Sequence, residues 1–390
     1  LASRTGFRFR VKLIAVRDTA RTRAVDLDPA LFTTDPLDLA RDPEIQVVIE
    51  LMGGTGIAHD LIRASLSAGK AVVTANKALL AERGESLLAL AESVRRPLCF
   101  EASVAGGIPI LKALREGLVA NHISAIHGIV NGTCNFILSA MSQRHLSYEA
   151  ALQEAQAAGF AEADPTLDVG GFDAMHKAVI LSALAYGTWI DPKHVHVEGI
   201  TRLESRDFEF AARLGFAIKL LAIIRAHAGG TVEARVHPTL IPADHVLASV
   251  AGSFNALMVH GDVVGETLFY GLGAGADATA SAVISDLVEA ASLLHTNTPV
   301  RGLIPHDLYS HLLPASRISS RFYLRIDVLD HPGTLARLCS DLNESGISIS
   351  SVFQPEARAG ERVPIVFLTH HAAATALDAA LDRITRSGLA

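Results

Sequence analysis

The first hundred residues alternate short apolar runs with longer stretches in which apolar residues recur at helical spacing. Amphipathic helices are predicted at 57–68 and 77–94 from this spacing. Strands are predicted from the short apolar runs, at 8–16, 46–51, 71–74 and 98–100. Strands that alternate with helices of this length build parallel sheets that helices cover on both faces. The pattern therefore predicts an α/β, doubly wound sheet at the start of the chain.

The middle of the chain has longer helical patterns and fewer apolar runs. Helices are predicted at 107–118, 133–144, 147–158, 172–187 and 207–226. Strands are predicted at 122–130 and 231–237. Because helices and strands are mixed here without strict alternation, we expect an α+β domain over 107–295.

A segment with several prolines and serines separates this region from a small C-terminal pattern. The segment 296–320 carries Pro299, Pro305 and Pro314, so we interpret it as a linker. After it, a β-α-β-β-α order is predicted from elements at 321–328, 333–344, 347–353, 362–369 and 372–386. This order is typical of a ferredoxin-like domain. The predicted division of the chain is 1–106, 107–295, 296–320 and 321–390, with a return to the first domain near 275–300.

Composition and charge exclude several classes of protein. With 390 residues, 49% of them hydrophobic, the chain is too long for one compact core. Its formal charge of -7 gives no reason to expect nucleic acid or an anionic membrane as a partner. No apolar run has the length of a membrane span, and no signal peptide is visible. Three widely spaced cysteines match no zinc spacing and fit a reducing compartment, so we expect a cytoplasmic protein.

The densest group of charged residues lies in the segment 162–177. Four acidic residues and a lysine fall within sixteen positions there, at Glu162, Asp164, Asp168, Asp173 and Lys177. Asp173 and Lys177 are spaced to share a helix face, which by itself is typical of a surface ion pair. The residues after Lys177 are almost wholly apolar, however, so this helix must be buried. A lysine that begins a buried helix beside carboxylates is a stronger candidate for a functional group.

Three further segments follow predicted strands, where ligands bind in open parallel sheets. Asn76 and Lys77 come directly after 71–74, either as a binding pair or as an ordinary helix start. The glycine-rich segment 53–56 either presents backbone N–H groups to a cofactor or forms a tight turn. Glu101 precedes a loop of small residues whose carbonyl oxygens suit a hard cation, although a turn into a helix is the simpler explanation.

Cys134 stands at the start of a predicted helix, where a thiol can have a lowered pKa and act as a nucleophile. The commoner role of such a cysteine is that of a small buried hydrophobe. A phosphorylating aldehyde dehydrogenase that uses Cys134 is therefore one alternative function. Another is a non-catalytic amino-acid sensor dominated by the C-terminal domain, which would have no need of the acidic loop with its lysine.

Together these segments resemble homoserine dehydrogenases. The matching stretches occur in the family's order: TANKALLA at 74–81, EASVAGGIPI at 101–110, GIVNGTCNFIL at 128–138, GFAEADPTLDVGGFDAMHK at 159–177 and YGLGAGADATASAV at 270–283. They span about 10–300, and the stretch at 159–177 is highly specific. The stretch VLDHPGTL at 328–335 resembles an ACT domain, a small amino-acid-sensing module that some members of the family carry.

The resemblance implies a role for each matching position. Lys177 looks like the catalytic acid and base, and Lys77 like a lysine that contacts both cofactor and substrate. The substrate-binding acids would be Glu162, Asp168 and Asp173. The expected cofactor contacts, besides Lys77, are Arg17, Gly53, Thr55, Gly159 and Gly275. A monovalent cation, expected to be sodium, would be bound by Glu101, Val104, Gly106 and Ile108, three of them through backbone carbonyls.

The resemblance also implies a nicotinamide cofactor, NADP or NAD. Arg17 and Asp18 follow the predicted strand 8–16, at the place where such folds read the ribose. Arg17 favours a 2′-phosphate and Asp18 a free 2′-hydroxyl, and we expect NADPH to be preferred. The family begins with a strand and a G-x-G-x-x-G turn that this sequence lacks near its start. On the order of 30 residues are therefore expected to precede Leu1.

The implied reaction interconverts L-homoserine and L-aspartate 4-semialdehyde, in the biosynthesis of threonine, methionine and isoleucine. The resemblance then implies an NAD(P)-binding domain at 1–106, a catalytic and dimerisation domain at 107–295 and a regulatory domain at 321–390. A homodimer or homotetramer is expected. L-threonine is the expected effector of the C-terminal domain, and dimerisation alone is the alternative role for that domain.

Overall fold

The first hundred residues contain a three-stranded parallel sheet. A computed structural model describes residues 1–298, 309, 311–356 and 362–388. The strand order is Val47–Glu50, Ala71–Thr74, Leu98–Cys99. The helices before residue 100 are Ala2–Thr5, Asp38–Arg41, Ile57–Ser67 and Lys77–Ser93, of which the last is called the Lys77 helix. A later helix, Ala276–Thr296, packs on the same sheet and is called the return helix.

Both faces of this sheet are covered, which explains why its central strand is apolar. All four residues of Ala71–Thr74 are buried. Val72 belongs to the same core as the helix Ile57–Ser67 and the Lys77 helix, while Val73 packs with the return helix. Alternate side chains of a strand point to opposite faces, so helices on both sides require a continuous apolar run. The predicted doubly wound arrangement is confirmed.

The strand predicted at 8–16 is much shorter than expected. Only Ile14–Ala15 forms a strand, and it pairs in parallel with Phe32–Thr33, apart from the three-stranded sheet. The residues at 8–11 are exposed. Because Arg8 and Arg10 alternate with apolar side chains, this segment would place charged groups on a face that helices cover.

The middle of the chain is built on a largely antiparallel sheet. In the described part of the chain its strands run in the order Gly265–Leu272, Phe254–Gly261, Ile123–Ile129, Phe216–His227, Thr231–Pro242 and His311–Leu312, with His196–Val197 also paired to Thr231–Pro242. The helices are Ile110–Lys112, continued by a π-helical turn at Ala113–Gly117, then Gly132–Arg144, Tyr148–Ala157, Thr166–Val169, Phe172–Tyr186 and Ser205–Arg213. The helix Phe172–Tyr186 is called the Lys177 helix and packs on two central strands of this sheet.

The helix predicted at 207–226 is wrong in its second half. A helix covers Ser205–Arg213, and the chain then turns at Gly215, whose φ of 81° is unfavourable for other residues. The following residues form the strand Phe216–His227 between two partner strands. This segment is apolar without a polar helical face and contains three isoleucines, which favour a buried strand. The hairpin of Phe254–Gly261 and Gly265–Leu272 is a further element that the sequence pattern did not predict.

The C-terminal domain has the predicted element order. Its sheet runs Tyr323–Leu329, Arg362–Thr369, Ile349–Phe353, all antiparallel, and the helices Thr334–Glu344 and Ala374–Arg386 pack on it. A short strand pair, Ser319–Ser320 with Ala372–Ala373, lies outside this sheet. Of the predicted linker 296–320, residues 299–308 and 310 lie outside the described residues. None of the helices that the structure describes has the length and hydropathy needed to cross a membrane.

Candidate active site

Two lysines from different helices meet at one carboxylate. Lys77 is the first residue of its helix, directly after Asn76, whose side chain caps that helix by accepting the Leu79 N–H at 3.1 Å. Lys177 lies one turn after Asp173 on the Lys177 helix. The Nζ atoms of Lys77 and Lys177 lie 2.6 and 2.7 Å from the two carboxylate oxygens of Asp173. Three of the predicted site residues are therefore brought into direct contact.

The carboxyl end of a central strand completes this group. Val130 and Asn131 follow the strand Ile123–Ile129. Lys177 Nζ donates to the carbonyl oxygen of Val130 at 2.7 Å. Asn131 Nδ2 donates to carboxylate oxygens of Asp168 and Asp173, each at 2.8 Å. An ammonium has three N–H groups, and within the described residues two of those of Lys177 are bonded, which leaves one for a bound molecule.

Burial and ion pairing act in opposite directions on the pKa values of this group. Burial would raise the pKa of Asp173, but the ammonium groups of Lys177 and Lys77 outweigh it and hold that pKa well below its usual range. Burial lowers the pKa of Lys177, and the nearby Asp173 offsets this only in part. The pKa of Lys77 is raised, because Asp173 and other acids outweigh the effect of its burial. Lys177 is therefore the lysine that releases a proton more readily.

The other two predicted acids are held less tightly. Asp168 is partly buried, and burial raises the pKa of its carboxyl although the hydrogen bond from Asn131 opposes this. Glu162 is exposed, and its negative charge contributes to the raised pKa of Lys77. Both acids are thus near enough to the lysines to act on them electrostatically.

Cys134 is a buried thiol beside the same group. Its N–H donates to Asn131 Oδ1 at 2.7 Å, and its Sγ lies 3.2 Å from the carbonyl oxygen of Asp168. Burial raises the pKa of the thiol well above its ordinary value. Since the thiolate is the reactive form of cysteine, this environment argues against the aldehyde dehydrogenase alternative.

A cleft of about 650 Å³ lies beside Lys77. Strand ends and the start of the return helix line it, with residues 51–54, 75–78, 275–276, Thr279, Ala280, Val283 and Ile284. The N–H groups at the start of a helix favour a negatively charged ligand. Three of the predicted cofactor residues, Gly53, Lys77 and Gly275, thus lie on one cleft.

The remaining predicted cofactor residues lie apart from the described lining of this cleft. Arg17 is exposed, two residues after the short strand Ile14–Ala15. Thr55 is half-buried in the loop that leads into the helix Ile57–Ser67. Gly159 is exposed just after the helix Tyr148–Ala157, close in sequence to Glu162. None of these three residues lines the cleft, although Thr55 directly follows Gly54, which does.

The loop predicted to bind a cation is compact and largely buried. The carboxylate oxygens of Glu101 accept the N–H groups of Leu111 and Lys112 at 2.8 and 2.9 Å, and burial nevertheless raises the pKa of Glu101. The carbonyl of Ile108 accepts the Ile110 N–H at 2.8 Å. The carboxylate and carbonyl oxygens keep further lone pairs, so they are suitable ligands for a hard cation. Across the described residues, no group of three His, Cys, Asp or Glu side chains could hold a metal ion.

Two polar residues at strand ends were missed as site residues. Asn131 joins Asp168 to Asp173, although the sequence pattern singled out its segment only for Cys134. Glu50 is buried at the end of Val47–Glu50 and binds the N–H groups of the cleft residues Met52 and Gly53. The signal that could have found both is their position directly at the carboxyl end of a predicted strand.

Comparison with known families assigns nearly the whole chain. Residues 1–101 match the model described as homoserine dehydrogenase, NAD binding domain. Residues 109–288 match the homoserine dehydrogenase model, and residues 322–387 match the ACT domain. The predicted NAD-binding, catalytic and ACT regions are therefore present, and the chain binds a nicotinamide cofactor.

Curated relatives and solved structures agree with these matches. The homoserine dehydrogenase of Neisseria gonorrhoeae is 46% identical over 92% of this chain and 84% of its own length. That of Pseudomonas aeruginosa is 45% identical over 95% of this chain and 86% of its own length. The crystal structure of a homoserine dehydrogenase from Thiobacillus denitrificans superposes with a TM-score of 0.89 at 44% identity, covering 98% of this chain and 88% of that chain.

Another similar solved structure is that of a complex with a cofactor. It is a hyperthermophilic archaeal homoserine dehydrogenase in complex with NADPH, with a TM-score of 0.59 and 29% identity. It covers 67% of this chain and 76% of its own. These matches exclude the aldehyde dehydrogenase and the non-catalytic sensor. The chain belongs to the homoserine dehydrogenases, NAD(P)-dependent oxidoreductases that act on a CH–OH group, and it carries a C-terminal ACT domain.

Proposed function

We propose that Lys177 is the proton donor and acceptor when this enzyme interconverts L-homoserine and L-aspartate 4-semialdehyde. The observation that carries the proposal is the geometry of its ammonium. Two N–H groups are fixed by Asp173 and Val130, and the third remains for the substrate oxygen. Burial lowers the pKa of Lys177, which brings it closer to the range that suits a general acid and base.

Gly53, Lys77 and Gly275 of the cleft would hold the nicotinamide cofactor, which would supply or accept the hydride at C4 of the substrate. In the reducing direction the aldehyde oxygen gains negative charge, which the Lys177 ammonium stabilises before it gives up a proton. Asp173 keeps the ammonium in place through a contact of 2.7 Å and balances the charge of Lys77. In the oxidising direction the neutral amine of Lys177 takes the hydroxyl proton.

The acidic residues of the site are the proposed partners of the substrate's amino group. We propose that Glu162, Asp168 and Asp173 bind this ammonium and so fix C4 beside the cofactor. Asp168 supports this role because Asn131 holds only one of its carboxylate oxygens, at 2.8 Å. Both oxygens of Asp173 already contact lysines, so its main effect is on the lysines.

The cleft beside Lys77 is the proposed cofactor site. Gly53, Thr55, Lys77, Gly159, Gly275 and Arg17 are the proposed contacts, and the lining residues among them support it most directly. NADP or NAD fits this proposal, and the exposed guanidinium of Arg17 favours NADPH. We also propose that Glu101, Val104, Gly106 and Ile108 bind a monovalent cation, sodium, because their loop offers a carboxylate and carbonyl oxygens.

L-threonine is the proposed effector of the ACT domain. The turn 330–333 precedes the helix Thr334–Glu344, whose first N–H groups can meet a carboxylate. A homodimer or homotetramer is proposed because the strand Gly265–Leu272 exposes Leu268, Tyr270 and Leu272. The three cysteines are free, which supports the proposed cytoplasmic location.

Replacing Lys177 tests the proposed mechanism. Lys177→Ala should lower kcat by at least about 100-fold and change the substrate KM less, because a general acid and base is removed. The matched control is Lys70→Ala, which also removes a buried lysine bonded to backbone carbonyls, at 2.5 and 2.7 Å, away from the cleft. Turnover of Lys177→Ala equal to that of the control would exclude Lys177 from the reaction.

A further inference from the structure

Glu50 is a buried carboxylate that no cation neutralises within the described part of the chain. It is 1% exposed and ends the strand Val47–Glu50. Its Oε1 accepts the N–H groups of Met52 and Gly53 at 2.7 and 3.1 Å. Its Oε2 accepts the hydroxyl of Thr74 on the neighbouring strand at 2.7 Å. Burying a charged group is costly, so these three hydrogen bonds are what makes the position tolerable.

The contacts continue from Thr74 and return to the same loop. The Asn76 N–H donates to Thr74 Oγ1 at 3.0 Å, and Asn76 Nδ2 donates to the Gly54 carbonyl at 2.8 Å. The loop 52–54 then leads back to Glu50 through its backbone. These contacts, called the Glu50 ring, connect Glu50, Thr74, Asn76 and the loop 52–54 into a closed circuit.

The Glu50 ring adjoins the cleft at two places. Gly53 and Gly54 line the cleft on one side, and Asn76 and Lys77 line it on the other. Asn76 also caps the Lys77 helix, so the ring fixes the backbone from which the Lys77 side chain reaches Asp173. The loop 52–54 and Lys77, which follow two neighbouring strands, are thereby held in a fixed position relative to each other.

We propose that Glu50 and Thr74 are positioning residues that hold the cofactor loop 52–54 and the start of the Lys77 helix in their binding arrangement. The inference rests on the proposed cofactor site in the cleft. The ring holds the loop in place before any ligand arrives, so binding does not have to order it. The N–H groups of Met52 and Gly53 point inward to Glu50, and the loop therefore presents a defined surface to the cofactor.

Thr74 allows a test that keeps the size of the side chain. Thr74→Val removes the hydroxyl that joins Glu50 to Asn76, whereas Thr74→Ser retains it. We expect Thr74→Val to weaken NADPH binding by about five- to tenfold, the loss for one to two hydrogen bonds, and Thr74→Ser to bind like the parent chain. Fluorescence titration with NADPH in the absence of substrate gives Kd independently of turnover.

Thr369→Val is the matched control. Thr369 is also fully buried, and its Oγ1 accepts a backbone N–H, that of Phe322 at 2.9 Å, in the C-terminal domain. Both valine variants should lose thermal stability, but only Thr74→Val should change Kd. Glu50→Gln adds a second measurement, because its amide can keep the N–H contacts without the charge, and its Kd should lie between those of Thr74→Ser and Thr74→Val.

The outcomes separate this inference from the proposed function. Equal Kd values for Thr74→Val, Thr369→Val and the parent chain would overturn the Glu50 ring as a positioning device. Absence of NADPH binding by the whole enzyme would overturn the proposed cofactor cleft itself. Normal NADPH binding by Lys177→Ala together with full turnover would overturn the role of Lys177 and leave the expected weakening in Thr74→Val as support for the ring.

Discussion

Two lysines of this site contact the same carboxylate, but their pKa values differ, and this difference decides the chemistry of each. Asp173 lies 2.6 Å from the ammonium of Lys77 and 2.7 Å from that of Lys177, yet their pKa values move in opposite directions. The difference comes from burial, because the side chain of Lys77 is 44% exposed and that of Lys177 only 9%. Asp173 thus raises the pKa of the more exposed Lys77, whereas the pKa of the more buried Lys177 stays lowered beside the same carboxylate.

The pH dependence of aldehyde reduction should reflect Lys177. Burial lowers its pKa from the ordinary value of 10.5, so the proton-donating form is lost as pH rises through a pKa below 10.5. We expect kcat for reduction to fall with rising pH, with a midpoint below that value. Lys177→Arg, whose guanidinium stays protonated, should be slow at every pH and lack this descending limb. A parent profile that stays flat to pH 10.5 would contradict the assignment.

Cys134→Ser should retain activity. The thiol is buried, and burial raises its pKa, so it packs against the site without attacking the substrate. Steady-state kcat should stay within a few-fold of the parent value, with some loss of stability because a hydroxyl replaces a buried sulfur. Cys99→Ser, at a buried cysteine of the strand Leu98–Cys99, is the control for that loss. A folded Cys134→Ser protein without turnover would restore the nucleophile hypothesis.

The sequence predicted the lysines and acids of the site because they are concentrated in short motifs. Lys177 and Asp173 lie one helical turn apart, which local spacing reveals. Asn131 acts through Asp168 and Asp173, and Glu50 through Thr74 on another strand. The position of Asn131 and Glu50 at strand ends marks them as candidates, but their partners are set by tertiary packing, which no local pattern encodes.

Elements were predicted well where periodicity was clear and poorly where an apolar run had no polar face. The Lys77 helix and the Lys177 helix lie within one residue of their predicted bounds. The strand Phe216–His227 was assigned to a helix because a short buried run has the same composition in both structures. Its partners Ile123–Ile129 and Thr231–Pro242 decide its conformation, and the first lies about ninety positions away.

The packing of the Lys77 helix against the chain's single tryptophan provides a test at this scale. A Cβ atom at Gly84 would lie 2.3 Å from Cη2 of Trp189. Gly84→Ala should therefore destabilise the protein by about 1–3 kcal/mol through overpacking, although alanine is normally the better helix residue. Thermal unfolding measures this. Gly117→Ala, where no atom lies within 4 Å, should not destabilise it. Increased stability of Gly84→Ala would show that the indole moves freely.

In the whole molecule, a charged contact joins the ACT domain to the catalytic domain. Arg325 on the strand Tyr323–Leu329 contacts Asp207 and Glu204 at 2.7 and 2.8 Å. Arg206 contacts Asp327 on the same strand at 3.0 Å. The helix Ser205–Arg213 that carries this surface leads into the strand Phe216–His227, on which the Lys177 helix packs. The charged contact thus joins the ACT domain to a helix that packs on the same strand as the Lys177 helix.

Removing the ACT domain should separate regulation from catalysis. Deleting residues 321–390 should leave dehydrogenase activity, because Asp207 and Glu204 can be hydrated once Arg325 is absent. The deletion should also abolish inhibition by L-threonine, because it removes the domain that is proposed to bind this effector. Arg325→Ala in the whole chain should weaken the inhibition without truncation, while Arg383→Ala, at an exposed pair with Glu344 inside the domain, should leave it unchanged. A parent enzyme that ignores millimolar L-threonine would favour dimerisation as the role of this domain.

The chain passes between the first two domains at two segments, and these segments contact each other. The Gly107 N–H donates to the Leu272 carbonyl at 3.1 Å, and a Cβ on Gly106 would lie 2.7 Å from the Gly273 carbonyl oxygen. These two segments connect the parallel sheet to the antiparallel one, and their close approach leaves no room for a side chain at Gly106. A side chain at Gly106 would therefore force the two segments apart at the place where the two sheets are joined. Gly106 thus constrains how the two sheets are joined, although it does not line the cleft.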